Sequence, residues 1–90
     1  MQTDRELLKL AAKAAGEITP ILYGNDDYFD GVLSWWNPLT DDGDALRLAV
    51  KIKWVPSRVE VVGLSMNEDP YAATRRAIVR AAAAMGKDME

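Results

Sequence analysis

Ninety residues with a net charge of −3 and a pI near 4.9, 49% apolar and 28% charged, have the balance of one small folded domain; a chain this short buries only about 60% of its unfolded surface and supports a single core. The sequence holds no Cys and no His, which excludes disulfides, thiolate nucleophiles, Cys/His zinc sites and the imidazole that most often acts as general base. The acidic balance argues against a generic phosphate-binding surface, and no apolar run approaches the ~18 residues of a membrane span.

The first predicted helix opens at Thr3, which forms a T-x-x-E capping box with Glu6, and closes at Gly16 in the place of a C′ glycine. Leu7, Leu8, Ala11, Ala14 and Ala15 share one face, with Arg5, Lys9 and Lys13 opposite, as in an amphipathic surface helix. Residues 18–23, ITPILY, are β-prone, and Pro20 suits an edge strand or a strand start. Residues 24–31, GNDDYFDG, read as a loop by their Gly and Asx content. VLSWW at 32–36 is short, β-branched and aromatic, so 18–23 and 32–36 are expected to form a hairpin.

A second helix is predicted from Thr40 or Asp41 to about Lys53. Its apolar arc of Leu46, Val50, Ala49, Ala45, Ile52 and Leu48 covers more than half the circumference and leaves a polar stripe of Asp44, Arg47 and Lys51. Such a helix is covered on more than one side, by its own domain or by another copy. Pro56 and Ser57 break the chain, and RVEVVGL at 58–64 alternates like a half-buried strand. The third helix takes Asp69 as N-cap and Pro70 as its first residue and is expected to end at Gly86. Tyr71, Thr74, Ile78, Ala82 and Met85 form its expected inner face, and Arg76, Arg80 and Lys87 its outer one. The order α-β-β-α-β-α predicts an α+β fold: a single domain over 1–90 in which a small sheet of about three strands packs with three helices as a layered sandwich.

The candidate sites have bland readings beside them. NDDYFDG puts Asp26, Asp30 and Gly31 in EF-hand register, but Tyr28 and Asn37 stand where ligands are needed. No metal or cofactor is expected. Asp41, Asp42 and Asp44 crowd the first turn of the second helix, where free N–H groups and the helix dipole favour negative charge, so helix initiation explains them. Adjacent residues of a strand face opposite ways, so Trp35 and Trp36 cannot enter the same core. Helices on both faces of the sheet would bury both; if one is exposed, it is the best anchor for a protein partner. Arg76, Arg80 and Lys87 form a basic stripe suited to solvent, to an acidic partner or to phosphates. Arg75 is expected to pair with an acid such as Glu60 or Asp69. Ser34, Ser57 and Ser65 lack a His to activate them, and no phosphate-binding glycine motif occurs, so an enzyme is not expected.

Three blocks, DRELLKLAAKAAG at 4–16, WNPLTDDGDALRLAVKI at 36–52 and DPYAATRRAIVRAAAAMGK at 69–87, together resemble a family of small uncharacterised proteins encoded by bacteriophages and proteobacterial prophages. The blocks cover about half the chain. The resemblance implies an α–β–α sandwich, no catalytic residues to carry over, and expression in a bacterial cytoplasm; a start without a basic n-region agrees with that compartment. By analogy with small acidic phage proteins, the expected function is a non-catalytic accessory protein that contacts an unknown host or phage protein. Its surface would draw on Trp35 or Trp36, the 24–31 loop, and Asp41 and Asp42, with a homodimer as one arrangement. The alternatives are a nucleic-acid binder using Arg76, Arg80 and Lys87, and a metal-dependent hydrolase built on the aspartates.

Overall fold

A computed structural model describes residues 3–19, 21–53 and 69–89. All regular structure among the described residues is α-helix: α1 (Asp4–Ala15), α2 (Asp26–Leu33), α3 (Asp42–Ile52) and α4 (Pro70–Asp88). The expected α+β sandwich is thereby overturned. The described part of 18–23 holds turns where an edge strand was expected, and 32–36 holds the end of α2 and the turn after it. The third expected strand, 58–64, lies outside the described residues.

The segment expected to be a loop became α2 because the same Asx residues that signal loops also start helices. Asn25 Oδ1 accepts a hydrogen bond from the Tyr28 amide at 3.0 Å, and Asp26 and Asp27 occupy the first turn. Phe29, Val32 and Trp36 then recur at helical spacing, 0%, 3% and 5% exposed. Burying these three outweighs the modest strand preference of Val and Trp, because intrinsic propensities span only about 1 kcal/mol while one buried aromatic contributes more.

The other helix starts follow their caps. Thr3 Oγ1 accepts from the Glu6 amide at 3.2 Å, Asp41 Oδ1 from Asp44 at 3.0 Å and Asp69 Oδ1 from Tyr71 at 2.9 Å. Gly16 closes α1 at φ +77°, the left-handed conformation that costs a glycine least. α4, however, does not stop at Gly86 but continues to Asp88.

The core lies where α1 packs along α4 and α3 packs on both, with α2 and Trp36 completing it. The face of α4 that meets this core is smaller than expected. Ala77, Ile78, Val79, Ala82, Ala83 and Gly86 are buried, whereas Tyr71 and Met85, expected inside, are exposed. Small residues let the two helix backbones approach: a Cβ on Gly86 would lie 2.0 Å from the Leu10 carbonyl oxygen. Gly86 therefore serves the crossing of α1 and α4, and not a helix end.

The cationic face of α1 is likewise not a solvated one. Arg5 pairs with Asp30 at 2.6 Å and lies over the Phe29 ring, and Lys9 donates to Asp26 at 3.1 Å. Lys9 and Lys13 both stand over the Tyr23 ring, and Lys13 is buried. The expected polar face thus becomes the contact with α2 and the turn before it, its alkyl stems covering apolar surface while its charges meet acids and aromatic faces.

Candidate functional site

The two tryptophans follow the C-terminus of α2. Ser34 caps that end, its amide donating to Gly31 O at 3.2 Å and its hydroxyl to the same oxygen at 2.6 Å, and the Trp35 amide reaches Val32 O at 3.1 Å. This helical continuation carries Trp36 inward in line with Phe29 and Val32, to 5% exposure, and leaves Trp35 outside at 60%. One tryptophan faces in and the other out, through the rotation of a helix end and not the alternation of a strand.

Past Trp36 the chain turns at Asn37 and Pro38 into α3. Asn37 O accepts from Thr40 and Asp41 amides at 3.1 and 3.0 Å, while Asn37 Oδ1 accepts from Leu39 at 3.1 Å. The buried Asp44 ties this turn to the helix: its Oδ2 accepts from the Asn37 amide at 2.9 Å and its Oδ1 from Arg47 at 2.6 Å. Between this turn and α3 lies a cleft of about 150 Å³, lined by Trp35 and Trp36 and by Arg47, Leu48 and Lys51 of α3, with Glu17 and Asp44 completing it. Lys51 pairs with Glu17 at 2.6 Å, and the Arg47 and Lys51 side chains remain 69% and 49% exposed. The cleft combines an indole face, apolar depth from Leu48 and two ion pairs whose cations reach solvent. The polar stripe of Asp44, Arg47 and Lys51 is legible in the sequence of α3, but it meets Trp35 only through the turn at 34–41.

The aspartates of the α3 start all have structural partners. Asp41 is the cap, Asp44 holds the turn, and Asp42 accepts from Arg75 at 2.6 Å. Arg75 also donates to Leu39 O at 2.8 Å, so its acid is Asp42 and not Asp69; Glu60 lies outside the described residues. Among the described residues no group of three acids is placed to hold a metal ion. Asp26 and Asp30, the EF-hand candidates, are engaged with Lys9 and Arg5.

Arg76, Arg80 and Lys87 do line one stripe of α4, within about 40° around the axis. Arg76 is committed to Asp4, at 2.9 and 3.5 Å from its two oxygens. That hydrogen bond holds the Asp4 carboxyl below its ordinary value against the opposing effect of burial, with the charges of Arg76 and Arg80 adding to the lowering. Arg80 and Lys87 are exposed. The stripe is therefore part-neutralised at its N-terminal end.

Among the described residues no helix is long and apolar enough to cross a membrane. Compared with protein-family models, with curated proteins and with solved structures, the chain matches none.

Proposed function

We propose that this chain is a non-catalytic accessory protein that works by protein–protein contact, with Trp35 as the anchor. The observation that carries the reading is Trp35, 60% exposed at the edge of a cleft that Arg47 and Lys51 rim. A large indole left in water beside a concave, part-apolar surface has the makings of a binding hot spot, since Trp is enriched at such positions and gains most from full desolvation. The fitting partner segment presents an apolar or aromatic side chain to the indole and the Leu48 wall, flanked by a carboxylate that competes with Glu17 or Asp44 for the exposed cations. Trp36, Asp41 and Asp42 support this surface from behind: Trp36 as core, Asp41 and Asp42 as the capped and tethered start of α3. The bacterial cytoplasm is part of the same proposal. The phage or prophage setting rests on the three sequence blocks alone, and the reading does not need it.

Nucleic acid is the weaker reading, because Arg76 is spent on Asp4 and the chain is acidic overall. The deciding experiment is an affinity capture from bacterial lysate, with and without nuclease treatment, using the wild type and Trp35→Ala side by side. The expected result is a protein retained by the wild type and lost, by tenfold or more, from the variant, whose circular dichroism is unchanged. Equal retention by both removes Trp35 as the anchor, and capture that disappears only on nuclease treatment transfers the reading to Arg80 and Lys87.

A further inference from the structure

The outer face of α3 carries two large aliphatic side chains in water. Leu46 and Val50, one helical turn apart, are 65% and 68% exposed, although both stand in the helix's apolar arc. They lie opposite Leu48, which is buried at 1%. The cleft residues Arg47 and Lys51 occupy the flank between them, so this face is separate from the Trp35 site.

Charge is distributed along α3 with a sense. Asp41 and Asp42 stand at its N-terminal end, and Lys51 and Lys53 at its C-terminal end. Asp42 remains 68% exposed despite its bond to Arg75, and Lys53 forms no ion pair among the described residues. We propose that α3 pairs antiparallel with α3 of a second copy of this chain, Leu46 of each against Val50 of the other, with Asp42 facing the second copy's Lys53 at both ends.

The positions agree on one axis. The midpoint between Leu46 and Val50 and the midpoint between Asp42 and Lys53 differ by half a residue, about 0.8 Å along a helix. A single two-fold axis therefore brings the apolar pair and both charge pairs into register, as an isologous interface requires. The parallel arrangement would set Asp42 beside Asp42 and Lys53 beside Lys53, and would align the helix dipoles unfavourably. Gly43, next to Asp42, adds no side chain on this side of the first turn. A helix of 11 residues is about 16 Å long, so the buried area is at the small end for specific contacts and the dimer is a weak one.

Sedimentation equilibrium on the intact chain, from a few micromolar to roughly 1 mM, reads this directly. The wild type is expected to pass from monomer to dimer in that range, Leu46→Asp to remain monomeric with the melting temperature of the dilute wild type, and Trp35→Ala to dimerise as the wild type does. Lys53→Asp and Asp42→Lys should each weaken self-association about tenfold, and an equimolar mixture of the two should recover it, because only the mixed pair has opposite charges at both ends. A chain monomeric throughout the range overturns the proposal, and if Leu46→Asp then also lowers the melting temperature the face is covered within the chain itself. A dimer that survives Leu46→Asp, or one indifferent to Lys53→Asp, overturns it equally.

Discussion

Asp44 shows how a single side chain sets the geometry of the surface around it. It is 7% exposed, and its two oxygens serve different elements: Oδ2 receives the Asn37 amide and Oδ1 the Arg47 guanidinium. A buried carboxylate with both oxygens engaged by donors avoids most of the desolvation cost that an unpaired charge would meet. Removing it leaves the Asn37 amide without its acceptor and Arg47 without its anchor. Asp44→Ala is expected to lower stability by about 1–3 kcal/mol, whereas Asp44→Asn, which keeps an acceptor for Asn37, should lose roughly half as much. Chemical denaturation of the two variants checks the order. Equal losses would mean that the Arg47 pair, and not the turn, carries the energy. Because the turn positions Trp35, Asp44→Ala should also weaken partner capture.

Among the elements, the crossing of α1 and α4 bears most of the packing, and it is built from small residues. Ala11, Ala12, Ala82 and Ala83 are each at most 2% exposed, and Gly86 meets the backbone of Leu10. In an open helix, Gly→Ala would stabilise by about 1 kcal/mol. Here the added methyl would sit 2.0 Å from a carbonyl oxygen and 2.8 Å from its carbon, atoms that cannot rotate away. The helices must part, and overpacking of this kind costs about 1–3 kcal/mol or more. Gly86→Ala is accordingly expected to lower the melting temperature by about 5–15 °C; an unchanged or raised value would show that α1 and α4 do not approach at this point. α1 meets α2 differently, through Arg5, Lys9 and Lys13 over Phe29, Tyr23 and the acids Asp26 and Asp30, so the same helix presents a small-residue side to α4 and a cationic side to α2.

At the scale of the whole molecule, stability against pH follows from its carboxylates, because the sequence has no His to titrate near neutrality. The Asp4 carboxyl is held below its ordinary value chiefly by the hydrogen bond from Arg76, and that of Asp26 chiefly by the hydrogen bond from Lys9. A carboxyl with a depressed value in the folded state contributes stability that is fully present above its unfolded value, near pH 4, and is lost as pH falls through the lower folded value. The melting temperature should therefore be level from about pH 5 to 8 and fall below about pH 4. Both side chains are largely exposed, at 62% and 71%, so salt should weaken the effect. Thermal melts of the wild type and of Asp4→Asn with Asp26→Asn across this range test it: the double variant should show a shallower acid fall, and an equally steep one would assign the fall to other carboxylates.

The parts of this protein that its sequence determined by itself are those that depend on near neighbours. Thr3, Asp41 and Asp69 cap their helices through bonds that span two or three residues, and Gly16 closes a helix by its own conformational freedom. Their chemistry is complete within a few residues of chain, so it is legible there. The rest needed a partner far away in sequence. Whether NDDYFDGVLSWW became a hairpin or a helix was decided by the burial of Phe29, Val32 and Trp36 in the common core, since its Asx, β-branched and aromatic residues suit either. Gly86 could be told from a helix stop only by the Leu10 carbonyl that lies against it, and Arg75 found its acid across the fold at Asp42. Which tryptophan meets water was likewise set by the rotation of the α2 end against the core, a property of packing that no local pattern encodes.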